Sequence, residues 1–107
     1  MGSAWICLIA AGLFEIGWPL GLKFSQTSGQ RFLWLAVAAI SMGISGYLLW
    51  LAQRQIPIGT AYAVWTGIGA IGTFVVGVWL FRDPMTWARV ASVLLIALGI
   101  VGLKLAH

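Results

Sequence analysis

The sequence has very few charged residues for its length. Six are basic and two are acidic, so charged side chains make up 7% of the 107 residues, while hydrophobic side chains make up 62%. An ordinary soluble domain has about 25% charged residues. A small soluble protein is mostly surface and cannot bury that much apolar area. The composition therefore argues against a soluble enzyme, a nucleic-acid-binding domain or a disordered tail, and it predicts an integral membrane protein.

Cysteine is almost absent, and no nucleotide-binding pattern stands in a suitable context. Cys7 is the only cysteine, so the chain has no internal disulfide and no cysteine cluster for zinc. Residues 67–72 match G-x-G-x-x-G, but no strand precedes them and they lie inside a long apolar run. We therefore expect no enzymatic activity, no cofactor, no metal site and no nucleic-acid partner.

Long apolar runs predict the fold. A helix of about 20 apolar residues crosses the hydrocarbon core. The predicted spans cover residues 4–22, 32–52, 58–80 and 85–103, and they form one all-α, four-helix transmembrane domain over residues 1–107. Polar turns separate the spans. In the last turn, Asp83 is predicted to cap the fourth helix and Pro84 to be its first residue.

The basic residues lie near the ends of the spans, where they can contact lipid headgroups. Arg54 and Lys104 fall on one side of the membrane, and the other four fall on the opposite side: Lys23, Arg31, Arg82 and Arg89. The positive-inside rule therefore favours an N-terminus outside the cytoplasm only weakly. A weak bias permits both insertions, which leaves open a dual topology and, with it, an antiparallel homodimer.

Glu15 is the only acidic residue inside a predicted span. It lies 11 residues after Ala4 and 8 before Lys23, close to the bilayer midplane. A charge at that depth costs a few kcal/mol, and no basic residue lies at the same depth. The counter-ion is then a proton or a cation from outside. A carboxyl group that binds either ion, but not both at once, predicts proton-coupled cation transport. The alternative is a protonated glutamate that only packs helices.

Several polar and aromatic side chains lie inside the spans. Trp18 follows the acid by three residues and shares its helix face. Ser45 lies inside the second span, where it can orient a carboxylate or bond its own helix backbone. The third span places four residues on one stripe: Tyr62, Trp65, Gly69 and Gly72. Each pattern is also compatible with ordinary packing.

Two further features bear on mechanism and assembly. Pro19 has no backbone N–H, so it leaves the Glu15 carbonyl without its usual helical donor. Gly99 and Gly102 in the fourth span predict a close helix contact between subunits. Two antiparallel copies would form inverted repeats around a midplane site that holds two Glu15 side chains.

Two stretches of the chain, GLFEIGW at residues 12–18 and PIGTAYAVWTGIG at residues 57–69, resemble the small multidrug resistance family. GIVGLK at residues 99–104 is similar to its guanidinium-exporter subtype. The resemblance covers nearly the whole chain. It implies an antiparallel, dual-topology homodimer in a bacterial inner membrane that exports guanidinium against inward proton flow.

The resemblance also implies a set of site residues. Glu15 would be the carboxylate shared by proton and substrate, and Trp18 and Ser45 would be its hydrogen-bond partners. Three further residues would line or adjoin the site: Tyr62, Trp65 and Gly12.

The assignment to the guanidinium-exporter subtype depends mainly on Trp18. The subtype that exports quaternary ammonium and other lipophilic cations usually carries a small residue there, whereas the guanidinium subtype carries tryptophan. Pro19 departs from the pattern of both. Export of quaternary ammonium ions is therefore the alternative function, and a non-transporting membrane subunit is a third.

Overall fold

The computed structural model describes residues 2–106 and contains four helices. They are α1 (Ser3–Thr27), α2 (Arg31–Ala52), α3 (Ile58–Phe81) and α4 (Trp87–Ala106). Each helix is long and apolar enough to cross a membrane. The predicted all-α architecture with four spans is confirmed, while the assignment of the whole chain to a single domain stays a prediction.

Helix α1 extends beyond its apolar run. The run ends at residue 22, but the helix continues to Thr27 through residues predicted to form a polar turn. The Ser25 hydroxyl donates to the Leu22 carbonyl at 2.6 Å, and the Thr27 hydroxyl donates to the Lys23 carbonyl at 3.2 Å. Because both hydroxyls bond to carbonyls of their own helix, these polar residues are accommodated in α1 beyond its apolar run.

Helix α3 ends in a left-handed turn. Arg82 has φ 56°, the only positive φ at a non-glycine residue in the described chain. The Asp83 N–H donates to the Gly77 carbonyl at 3.1 Å, which satisfies a carbonyl of the last helical turn. Asp83 therefore serves to close α3.

Helix α4 begins at Trp87, later than predicted. The Arg89 N–H donates to the Thr86 hydroxyl at 3.2 Å, so Thr86 caps the helix. The prediction that Asp83 is the cap and Pro84 the first helical residue is wrong, because both residues belong to the extended link after α3.

Helix α1 is the central helix of the bundle. It packs most extensively against α2 and next against α3. Close approach to α2 depends on small residues, since a Cβ on Gly21 would lie 2.9 Å from the Ala38 Cβ. Toward the end of α1, the rings of Phe24 and Trp34 stack with their centroids 4.7 Å apart.

The buried core lies at one end of the bundle. It is built from the start of α1, the end of α2 and the start of α3, and Leu8 and Val64 are almost completely buried there. The other buried members of this core cluster are Ala4, Trp5, Ala52, Ile56 and Ala61. Apolar packing therefore closes the bundle at the end that carries Arg54 and Lys104.

Helix α4 is the least covered helix. Its backbone approaches only α3, and none of its described residues is buried. Leu95 and Leu98 are 69% and 67% exposed. Because lipid tails are as apolar as leucine, such a face is stable against lipid or against a second helix.

The cap of α4 can be tested by Thr86→Ala. We expect the free energy of unfolding to fall by about 1 kcal/mol, because the Arg89 N–H loses its acceptor. Helicity during titration with a denaturing detergent measures this loss. Ser92→Ala is the control, since that hydroxyl bonds the Ala88 carbonyl inside the helix. Equal losses in the two variants would contradict the assignment of the cap.

Candidate cation site around Glu15

Glu15 lies in the middle of α1 and faces α3. A Cβ on Gly69 would lie 2.5 Å from the Glu15 Cγ, so only glycine leaves room for this side chain. The side chain is half-buried. Its carboxyl group forms no hydrogen bond or ion pair with any other residue in 2–106. Within the described part of the chain, this ionisable group inside a membrane helix therefore has no partner.

A chain of hydrogen bonds joins three helices one turn away from this carboxyl group. The Trp65 indole N–H donates to the Ser45 hydroxyl at 2.7 Å. That hydroxyl donates to the Ala11 carbonyl, also at 2.7 Å, and Ser45 is fully buried. Ala11 is four residues before Glu15, so its carbonyl also accepts the Glu15 N–H of the α-helix. The three helices are therefore tied together next to the acid.

The other residues expected at the site lie on α1 and α3, the two helices that this chain of hydrogen bonds joins to α2. Tyr62 is 56% exposed, and its ring centroid is 5.5 Å from that of Trp65. Trp18 is half-buried on the turn after Glu15. Gly12 is buried, and a Cβ there would lie 2.7 Å from the Ile68 Cβ. Gly12 therefore lets α3 approach α1 closely, one turn from the acid.

The structure brings some of the expected residues together and leaves others apart. Tyr62, Trp65 and Ser45 form one connected group. Among the described residues, neither Trp18 nor Ser45 hydrogen-bonds the Glu15 carboxyl group, and the Ser45 hydroxyl is occupied by Ala11 and Trp65. The roles of these residues in binding stay predictions.

Sequence reasoning missed one participant in the hydrogen-bond chain, the Ala11 carbonyl, because an alanine in an apolar run carries no signal for it. Ser41 lies one helical turn from Ser45 on the same face of α2. Its Oγ would lie 2.6 Å from a Cβ on Gly17, so Ser41 packs against α1 there.

The arrangement can bind a small organic cation. In general, a carboxylate offers two oxygens in a plane, and an aromatic ring within about 6 Å of a cation stabilises its charge. Among residues 2–106, no group of three or more His, Cys, Asp or Glu side chains lies together as a metal would require.

The bond between Ser45 and Trp65 can be tested by a double-mutant cycle. Ser45→Ala and Trp65→Phe should each lower the free energy of unfolding by about 1–2 kcal/mol. The double variant should lose about 1 kcal/mol less than the sum, because both changes remove one shared bond. Thr66→Ala is the control, because the Thr66 hydroxyl bonds its own helix backbone. Full additivity would contradict the shared bond.

Comparison with known proteins agrees with the motifs and the helices. Residues 3–96 match the family model described as Small Multidrug Resistance protein. A guanidinium exporter of Yersinia pseudotuberculosis is 47% identical over 103 residues, which cover 96% of this chain and 98% of the relative. A guanidinium exporter of Escherichia coli (strain K12) is 44% identical over 96% of this chain and 97% of its own length.

The similarity to exporters and the four membrane-spanning helices support a multi-pass protein of the inner membrane. The relatives are transporters and not enzymes. The resemblance that the two motif stretches indicated is confirmed. The chain belongs to the Small Multidrug Resistance protein family.

Proposed function

We propose that this protein exports guanidinium in exchange for protons and that both bind at Glu15. The observation that carries the proposal is the carboxyl group in the middle of α1, which has no partner among the described residues. The names of the relatives, guanidinium exporter, support the choice of cation.

The chemistry of guanidinium suits this site. Guanidinium is a planar fork of N–H donors that pairs with both oxygens of a carboxylate. It stays charged at physiological pH, so only the carboxyl group has to change its protonation state. The Trp65 and Tyr62 rings beside the site can stack on a planar cation. Small substituted guanidiniums present the same fork and belong to the same substrate class.

Exchange follows from having one site for two occupants. When guanidinium binds, the carboxyl O–H bond breaks and the proton leaves to water. When a proton returns from the other side, it neutralises the carboxylate and guanidinium dissociates. A charge left unpaired at this depth costs several kcal/mol, so an empty, ionised site is disfavoured. Transport of one ion is thereby coupled to transport of the other.

An antiparallel, dual-topology homodimer completes the proposal. Four helices alone are few to surround a transport pathway. Two copies in opposite orientations would enclose two Glu15 side chains between inverted repeats. The uncovered α4 supports this arrangement. A Cβ on Gly99 or Gly102 would meet nothing within 4 Å, so a second helix can approach closely there. Membrane lipids would cover the remaining apolar surface.

Glu15→Gln tests the shared site. In detergent, guanidinium should release protons from the wild-type protein, and the variant should release none, because the amide has no ionisable proton to give up. In vesicles, uptake of labelled guanidinium driven by a pH gradient should fall to the level of empty vesicles. Ser25→Ala, whose hydroxyl bonds the Leu22 carbonyl of the same helix, is the matched control on α1 and should transport normally. Proton release from Glu15→Gln would overturn the proposal.

Export of quaternary ammonium ions is the second candidate. The exposure of Tyr62 favours it, because a site open to lipid admits bulky cations. Trp18 favours guanidinium, because the subtype that exports quaternary ammonium ions usually carries a small residue at this position. We expect guanidinium to drive proton exchange in vesicles at concentrations where tetraethylammonium drives none.

Proton exchange driven by tetraethylammonium but not by guanidinium would instead establish export of quaternary ammonium ions. Vesicles that contain the purified chain and respond to neither cation would favour a subunit that needs a different partner chain.

A further inference from the structure

A polar cavity lies between α1 and α3, on the Lys23 side of Glu15. Its volume is about 230 Å³, and seven residues line it: Pro19, Leu20, Lys23, Thr73, Gly77, Phe81 and Asp83. A water molecule occupies about 30 Å³ in the liquid, so the cavity has room for several.

The outer end of the cavity carries two charges of opposite sign. Lys23 and Asp83 are both exposed, and they form no ion pair with each other. The Lys23 Nζ lies 5.8 Å from the centroid of the Phe81 ring, and the Asp83 carboxylate lies against Gly77. Charged side chains at the end of a span lie at the membrane surface. The cavity therefore opens to water on this side, whereas the apolar core cluster closes the opposite end of the bundle.

Two polar groups lie at or next to the inner end of the cavity: the Thr73 hydroxyl, and the Glu15 carbonyl, which has the Pro19 ring where its usual donor would be. Pro19 cannot donate to the Glu15 carbonyl, and no side chain in the described chain bonds that carbonyl. The Thr73 hydroxyl also has no partner among residues 2–106, whereas the Thr66 hydroxyl bonds its own helix backbone. Freed backbone groups in membrane helices persist where side chains or ordered water satisfy them. We therefore expect the Thr73 hydroxyl and the Glu15 carbonyl to bind water molecules at this depth.

A single apolar contact separates the cavity from the carboxyl group. Along α1 and α3, the Glu15–Gly69 contact comes first and the Ile16–Gly72 contact second, and Pro19 and Thr73 follow. A Cβ on Gly72 would overlap the Ile16 side chain, so glycine alone allows Ile16 to lie flat against α3. The inner end of the cavity is one helical turn, or about 6 Å, from Glu15.

We propose that this cavity is the water-filled path by which Glu15 exchanges protons with the aqueous phase at the Lys23 end, with Thr73 as a positioning residue for its water. The inference rests on the proposed function, since a path to Glu15 serves only a carboxyl group that exchanges protons. The proton leaves the Glu15 carboxyl oxygen for a water molecule, and the carboxylate remains to bind the cation. Ile16 is the barrier that this water must pass.

Cysteine labelling tests whether the cavity holds water. Thr73→Cys and, as a control, Val75→Cys are made in a Cys7→Ser background. Val75 lies half a turn away on the same helix and is 56% exposed. A positively charged, water-soluble methanethiosulfonate needs an ionised, hydrated thiol, so we expect it to modify Thr73→Cys about tenfold faster or more. Equal rates at the two positions would overturn the proposal.

Transport kinetics test the role of Thr73. Thr73→Val should lower the maximal rate of proton-driven guanidinium uptake about tenfold, because the path loses one hydrogen-bonding group. The KM for guanidinium should stay within about twofold, and Thr73→Ser should restore the rate. A Thr73→Val protein with the wild-type rate, or with a raised KM at an unchanged rate, would overturn the proposal.

The two proposals fail in distinguishable ways. Wild-type vesicles that do not exchange guanidinium for protons would overturn the proposed function, and with it the path. Labelling does not require transport, so slow modification of Thr73→Cys beside active wild-type vesicles would overturn the water-filled path alone.

Discussion

The molecule depends on one constraint, which is that a carboxyl group in the hydrocarbon core must have a partner. All six basic residues lie near the ends of the spans, and no residue in 2–106 bonds the Glu15 carboxyl group. An unpaired charge at that depth costs several kcal/mol. In the proposed function, a proton and an organic cation would each remove this cost, but not together. Coupling between the two would therefore require no second binding site.

The helices around this group are packed unevenly. On one side, the bond from Trp65 to Ser45 and on to the Ala11 carbonyl ties three helices together beside the apolar core. On the other side, a polar cavity lies between α1 and α3, with the charged residues Lys23 and Asp83 in its lining. In an antiparallel pair, each membrane surface would meet the closed end of one chain and the open end of the other. That arrangement would suit a carrier that faces the two surfaces in turn.

Much of the fold could be predicted from the sequence, because the length of an apolar run is a local property. The four spans and the depth of Glu15 follow from where charges interrupt these runs. The same holds for Pro19, since the missing N–H is a property of the residue itself. The start of α4 was wrongly predicted because Asp83 and Thr86 are both good caps. The choice depended on the left-handed turn at Arg82, which uses Asp83 to close α3.

The sequence by itself determined that this is a membrane protein with four helices and one acid at the midplane. Only the tertiary structure decided what each polar group contacts. A serine in a membrane helix can bond its own backbone or a neighbour, and the proximity of α1 and α3 directed Ser45 to Ala11 and Trp65. The cavity beside Thr73 likewise depends on the register of α1 against α3. Register arises from contacts between residues far apart in the chain, so no local pattern encodes it.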